Sequence, residues 1–502
     1  MAVRPIKKLL VANRGEIAVR IMRACRELGI SPVAVFSEAD REALHVQMAD
    51  EAYAIGPPPA VESYLSIDRL LEVARHAGAD AVHPGYGFLS ENAAFADACA
   101  GAGLTFVGPP PAAMRALGSK TAARRLARES GVPMVPGTVE AVAETDARAV
   151  AHEIGYPVML KAALGGGGKG MRLVRRPEDL DEALRAARAE ASAAFGDAAV
   201  YFERALSEPR HIEIQILADA QGRVIHLGER ECSIQRRHQK LIEECPSPLV
   251  DAALRERMGD AACRLARAAG YVNAGTVEFL VDADRQFYFL EMNTRLQVEH
   301  PVTELVTGVD LVHAQLAIAG GQPLALAQGD VTWRGWAIEC RINAEDPFAG
   351  WMPSPGTITG LRAPGGPWVR DDSGAYEGYT VPRWYDTLLS KLIVWGADRA
   401  AACDRMARAL AEYRVVGVRT TIPILERVVA HPDFRAGRLS TGFLERVLPG
   451  IHANESRLRS IAIIAAVLAE YERGRRGAAP VTVAEAAPSA WRTAGPRGWM
   501  RP

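Results

Sequence analysis

The feature that most restricts this chain's fold lies in residues 1–115, where short apolar runs alternate with helical patterns. KLLVAN (8–13), PVAVF (32–36), AYAIG (52–56), DAVHPG (80–85) and LTFVGP (104–109) read as strands ending in turn residues. Between the first two, GEIAVRIMRACRELG (15–29) places Ile17, Ile21, Ala24 and Leu28 at the spacing of one helix face. Such alternation predicts a doubly wound parallel sheet. No GxGxxG follows the first strand, so a dinucleotide-binding reading is weak. HPGYGFLSEN (83–92) falls just past a strand's C-terminal end, where open α/β sheets bind ligands; its glycines equally suit a tight turn.

From 116 to 325 the pattern shifts to longer strands and hairpins around VMLKAALGGGGKGMRLV (158–174). Consecutive glycines let backbone N–H groups approach phosphate oxygens without a Cβ in the way. The run lacks the GxxxxGK[ST] of a Walker loop, and Met171-Arg172 open another strand, so a strand–loop–strand cover over nucleotide phosphates fits better than a plain flexible hairpin. Lys161 lies inside the apolar strand, where an ammonium is costly unless an anion meets it. Lys120 opens a helix in LGSKTAARRLA and Glu203 ends VYFERAL; alone, both are unremarkable. In GERECSIQRRHQKLIEECP (228–246), Arg236, Arg237, His238 and Lys240 follow Gln235, which suits an anion site or a solvated edge.

The densest polar cluster is FLEMNTRLQVEHP (289–301), directly after an aromatic strand. AGTVEFLVD and RQFYFLEMN flank DADR, a hairpin connection. Pairing Val281 with Gln286 sets Glu278 opposite Phe289, and Glu278, Glu291 and Asn293 then project from one side. Adjacent carboxylates repel unless a cation lies between them, and carboxylate and amide oxygens suit Mg²⁺ or Mn²⁺. Residues 330–447 mix strands (GWAIECRINAE, TITGLRAPGG, LLSKLIVWG) with the helix AACDRMARALAEY. Residues 448–502 form a tail, in which SRLRSIAIIAAVLAEYERG has helical periodicity and RRGAAPVTVAEAAPSA has a linker's composition.

The net charge of −1 over 502 residues gives no bulk case for nucleic acid or anionic membrane as partner. Seven scattered cysteines without a CxxC read as reduced thiols. The longest apolar stretch, residues 461–469, is about half a membrane span. A cytoplasmic protein is expected.

With these residues in hand, the chain resembles biotin carboxylase, the ATP-grasp component of biotin-dependent carboxylases. ANRGEIAVRI, HPGYGFLSEN, GGGGKGMR, ECSIQRRHQK, EMNTRLQVEHPVTE and ECRINAED match the family's motifs in order and spacing, from about residue 5 to 447. The resemblance implies a Rossmann-like N-terminal parallel sheet (1–115), an ATP-grasp domain (116–325) with a mobile lid (about 133–205), and a mixed α/β C-terminal domain (330–447). It implies ATP-driven carboxylation of biotin by bicarbonate with Mg²⁺ or Mn²⁺. Lys120 and Lys161 then correspond to lysines on ATP phosphates beneath Gly165, Gly166, Gly167 and Gly168. Met171, Glu203 and Leu206 match adenine contacts, and His211, Gln235 and His238 lie near ribose and phosphates. Glu278, Glu291 and Asn293 match metal ligands, while Lys240, Arg295, Gln297 and Val298 match the bicarbonate site. Glu299 matches the general base, Arg341 the cation facing biotin's oxygen, and Tyr86 a residue beside biotin.

Arg20, Arg23 and Glu27 match positions at which the family dimerises, although their spacing alone suits a solvated helix face. Leu164 and Arg204 depart from the commoner small residue and lysine. No methionine is followed by lysine, so biotin is expected on a separate carrier protein, with a carboxyltransferase subunit choosing the final acceptor. A ligase for another acid would not need Tyr86, Arg295 and Arg341 together, and a non-catalytic nucleotide-binding protein would lack a metal ligand or the base; none is missing.

Overall fold

The computed structural model describes residues 4–163, 171–453, 463–468, 470 and 471. Residues 1–446 form one compact unit and 447–502 a second. In the second, residues 463–468, 470 and 471 are helical and exposed; the rest of the expected tail helix and the Ala/Pro-rich run lie outside the described residues. All seven cysteines are buried and free, and no single helix among the described residues is long and apolar enough to cross a membrane.

All five strands expected near the N-terminus form, as Lys8–Val11, Ser31–Ser37, Glu51–Gly56, Ala81–His83 and Thr105–Phe106. They make one parallel sheet with Lys8–Val11 between Ser31–Ser37 and Ala81–His83. Leu9 and Val11 pack on one face with Ile17 and Ile21, while Leu10 packs on the other with Val33 and Phe95. Burial on both faces explains why the strands read as unbroken apolar runs. The strand order reverses between Lys8–Val11 and Ala81–His83, and HPGYGFLSEN leaves the sheet there. Asn13 Nδ2 donates to the carbonyls of Pro84 (2.7 Å) and Tyr86 (2.8 Å), tying the two strand ends together. Gly85 has φ +64°, and a Cβ there would lie 2.9 Å from the Asn13 amide.

A three-stranded antiparallel sheet, with Val158–Ala162 between Arg172–Val174 and Val200–Arg204, carries the strand–loop–strand unit. Helices Ala147–Ile154 and Leu180–Phe195 share its small core of Val158, Leu160, Val174, Leu184 and Phe202. The glycine loop itself, including Leu164 and Gly165 to Gly168, lies outside the described residues.

The remaining architecture is an eight-stranded antiparallel sheet. In spatial order its strands are Phe287–Asn293, Asn273–Val281, Arg210–Ala218, Val224–Arg236, Gln239–Cys245, Trp336–Asn343, Leu388–Gly396 and Val369–Ser373. The sheet therefore runs from the central region straight into the C-terminal one, with Gln239–Cys245 hydrogen-bonded to Trp336–Asn343.

Two local expectations are corrected. TITGLRAPGG is not one strand; Gly356–Thr357 and Gly360–Arg362 pair with different partners, because the backbone passes from one to the other, Ile358 N–H donating to Tyr379 and Thr359 N–H to Val416. In the 273–293 hairpin Val281 pairs with Phe287, not Gln286, and the connection spans residues 282–286. A bulge between Glu278 and Phe279, with Leu290 as the additional residue, then brings Glu278 directly opposite Glu291.

Candidate active site

One cavity of about 800 Å³ is lined by residues of the small sheet, the large sheet and the 83–92 turn. Every described site residue named from the sequence lines it except Glu299, which lies behind Lys240 and Arg341 with no exposure.

At one end, Lys120 is the first residue of helix Lys120–Glu129, capped by Ser119, and Lys161 projects from the small sheet. Burial lowers the pKa of Lys120. The anion that meets Lys161 is Glu203, reached from the adjacent strand, and Arg124 grips the other oxygen of the same carboxylate. Two buried cations thus share one buried carboxylate. Met171 and Leu206 are the half-buried apolar groups nearby.

The basic run 236–240 resolves into both of its readings. Arg237 and His238, with φ of 47° and 66°, form an exposed two-residue turn, while Gln235 and Lys240 stand opposite each other on the flanking strands. His238 lines the cavity mouth, and Gln235 and Lys240 point into the interior. The Gln235 amide donates to His211 Nδ1 (2.6 Å), leaving His211 Nε2–H to donate to Glu278 Oε2 (2.8 Å). Burial disfavours the charged imidazole, but the Glu278 carboxylate outweighs it and raises the His211 pKa.

Lys240 sits among three carboxylates, with Nζ 2.6 Å from Glu213, 2.9 Å from Glu278 and 2.7 Å from Glu299. Arg341 donates through Nε to Glu243 (2.6 Å) and through Nη2 to the second oxygen of Glu299 (2.9 Å). Arg230, fully buried, joins Glu213 to Gln215, Thr276 and Thr303. Burial alone would raise the pKa of Glu299, but Lys240, Arg341 and Arg230 hold it well below the usual carboxylate range. Burial pushes Glu243 up to about 7 against the pull of Arg341.

Asn293 Nδ2 donates to Glu278 Oε1 (2.8 Å), whereas the Glu291 carboxylate accepts no side-chain hydrogen bond among the described residues. Burial and the facing Glu278 raise the Glu291 pKa. Two opposed carboxylates, one of them unpaired, beside an amide oxygen make a donor set that fits a hard divalent cation. Arg295 Nη2 donates to Asn293 Oδ1 (3.1 Å), Nη1 to Gln297 Oε1 (3.3 Å) and Nε to Glu91 (2.9 Å). Val298 lines the same wall, and Tyr86 donates its hydroxyl to Glu16. The interface candidates divide: Arg20 is buried against Glu304 (3.0 Å) and Asp310 (2.8 Å) of its own chain, so it is no solvated residue, while Arg23 and Glu27 are exposed.

Glu91, Arg124, Glu213, Arg230 and Glu243 also belong to the site, although the sequence motifs do not single them out. A signal existed for each. Glu91 lies in the quoted turn, Arg124 one helical turn after Lys120, and the other three are charges at buried positions of strands.

Three family models match in chain order: the biotin carboxylase N-terminal domain over residues 5–114, the ATP-binding domain of the carbamoyl-phosphate synthase L chain over 119–327, and the biotin carboxylase C-terminal domain over 339–446. The chain belongs to the biotin carboxylase family. Family relatives include a pyruvate carboxylase subunit of Methanothermobacter thermautotrophicus, 52% identical over 489 residues, covering 94% of this chain and 99% of the relative. Biotin carboxylase 1 of Bacillus subtilis is 55% identical over 444 residues, 88% of this chain and 98% of its own length. Among solved structures, the biotin carboxylase domain dimer of Hydrogenobacter thermophilus 2-oxoglutarate carboxylase, in complex with magnesium ADP and bicarbonate, matches with a TM-score of 0.85 at 47% identity, covering 88% of this chain and 98% of that one. Campylobacter jejuni biotin carboxylase matches with a TM-score of 0.86 at 46% identity, over 88% and 99% of the two chains. Like other biotin carboxylases, this chain is an ATP-grasp ligase with a mixed α/β fold.

Proposed function

We propose that this chain carries out the first half-reaction of a biotin-dependent carboxylase, in which ATP, hydrogencarbonate and carrier-bound biotin give ADP, phosphate and carboxybiotin. One observation supports this most: a buried carboxylate, Glu299, lies between Lys240 and Arg341 behind a cavity that has lysines at one end and paired carboxylates at its centre.

ATP lies with its phosphates on Lys120 and Lys161, its base against Met171, Glu203 and Leu206, and its ribose side near His211, Gln235 and His238. Residues 133–205 act as the lid that excludes water while labile carboxyphosphate exists. Glu278, Glu291 and Asn293 would hold Mg²⁺ or Mn²⁺, which supplies charge compensation to the phosphates. Bicarbonate binds to Lys240, Arg295, Gln297 and Val298, and Glu299 takes its proton as it attacks the γ-phosphate.

With both in place, Lys240 and Arg341 hold down the proton affinity of Glu299. Bicarbonate competes for Lys240, and the developing ureido oxygen of biotin, beside Tyr86, competes for Arg341. Each withdrawal raises the proton affinity of Glu299, so the substrates themselves activate the base.

A separate biotin carrier and a carboxyltransferase are the proposed partners, in keeping with the similarity to a pyruvate carboxylase subunit over 99% of that relative's length. A homodimer joined near Arg23 and Glu27 is the proposed assembly. The deciding measurement is ATP hydrolysis that requires bicarbonate and is stimulated by free biotin. Stimulation by a different acid would instead make this a ligase for that acid.

A further inference from the structure

The bicarbonate and biotin walls meet at a buried lysine that the reaction as described does not use. Lys391, on strand Leu388–Gly396, has no solvent exposure. Its Nζ donates to the carbonyl of Val298 at 2.9 Å and lies 3.2 Å from Glu16 Oε1 and 4.0 Å from Asp372. Glu16, on helix Gly15–Glu27, accepts the hydroxyl of Tyr86 through the same oxygen, and Lys391 stands 5.9 Å from the centre of the Tyr86 ring. One ammonium thus touches three regions: the 297–299 turn, the first helix and the 83–92 turn.

The Val298 carbonyl belongs to the peptide unit that carries the Glu299 nitrogen, so its direction governs how Glu299 leaves the turn. The preceding carbonyl, of Gln297, accepts from His300 Nδ1 at 2.8 Å. Burial lowers the His300 pKa well below its ordinary value, and Nε2 has no partner, so this is the neutral Nδ1–H imidazole. Two successive carbonyls are therefore pinned by side chains from outside the turn. A buried ammonium is costly, and its partners here, one carboxylate and one carbonyl, orient groups on both sides of the cavity.

We propose that Lys391 is a positioning residue for carboxylation, fixing the Val298–Glu299 peptide on one side and, through Glu16, Tyr86 on the other, so that bicarbonate and biotin are held in register. This rests on the roles proposed above for Val298, Glu299 and Tyr86. Burial, against the pull of Lys391, pushes the Glu16 carboxyl up to about 7. The other groups facing it are Asp372, Arg370 and Tyr86, and Arg370 is itself paired with Asp372 and Glu304, both at 2.7 Å. The Glu16–Lys391 link consequently changes character near neutral pH.

The test is steady-state kinetics on the full chain with free biotin. In Lys391→Met, KM for bicarbonate and for biotin should rise by about 10²-fold, the scale of a misplacement of about 1 Å, with KM for ATP within about threefold of wild type. A rise of all three together, or of none, overturns the proposal. Should Lys391→Met not fold, the double variant Glu16→Gln/Lys391→Met, which removes both charges, is held to the same criteria. Glu16→Gln alone keeps every hydrogen bond available but cannot titrate. Its KM for biotin relative to wild type should therefore change several-fold between about pH 6 and about pH 8, and a constant ratio overturns the proposal. A wild-type chain without bicarbonate-dependent ATP hydrolysis would defeat the underlying reading; an active one with these ratios unmoved defeats only the role of Lys391.

Discussion

Glu203 and Glu299 are each buried and each held by one lysine and one arginine, yet their surroundings differ in sign. On the small sheet, Lys161 and Arg124 serve a single carboxylate, with Lys120 nearby. On the large sheet, Lys240, Arg341 and Arg230 serve Glu213, Glu243, Glu278 and Glu299. The first region carries surplus positive charge, which a polyphosphate would neutralise. The second carries surplus negative charge, which a divalent cation and a transferred proton would neutralise.

The contrast breaks most visibly at Glu299. Glu299→Gln should lower bicarbonate-dependent ATP turnover by about 10²–10⁴-fold while leaving nucleotide binding, followed by calorimetry, nearly unchanged. Loss of nucleotide affinity to the same degree would show that the two ends are not separable.

At the other end, Lys161→Met leaves Glu203 with Arg124 and should raise KM for ATP by about 10- to 100-fold, equivalent to about 1.5–3 kcal/mol for a charged hydrogen bond. KM for bicarbonate should not change; a parallel rise in it would erase the distinction.

The smallest effect concerns pH and Glu243. Its folded pKa, about 7, lies above the ordinary 4.5. The folded state thus binds the extra proton, and the stabilisation from it is complete below about pH 4.5 and lost as pH rises through about 7. Glu243→Gln cannot titrate, so Tm of wild type minus that of the variant should decrease from about pH 5 to about pH 8. A difference that grows with pH would mean Arg341 controls this carboxyl more than burial does.

Much of this was legible in the residues. The parallel sheet follows from apolar runs separated by one-faced helices, and the hairpin strands from their flanking turns. Register was not legible, because periodicity gives the alternation of faces but not an added residue. The bulge at Leu290 corrected the pairing while preserving the grouping of Glu278, Glu291 and Asn293. The site's ionic lattice was also hidden. Arg230 and Glu213 lie on adjacent strands 17 residues apart, and Arg295 and Glu91 meet across 204 residues, separations at which no local pattern survives.

The continuous eight-stranded sheet has a consequence for anyone who would divide this protein. Two of the family models meet between residues 327 and 339, which invites separate expression of the halves. A cut there would part Gln239–Cys245 from Trp336–Asn343 and strip each fragment to a bare edge seven or eight residues long, carrying Ile242 or Ile338 and Cys340. Edges of that kind seek other chains. The fragments should aggregate when made alone and recover activity only when co-translated, so the matched modules are not independent folding units.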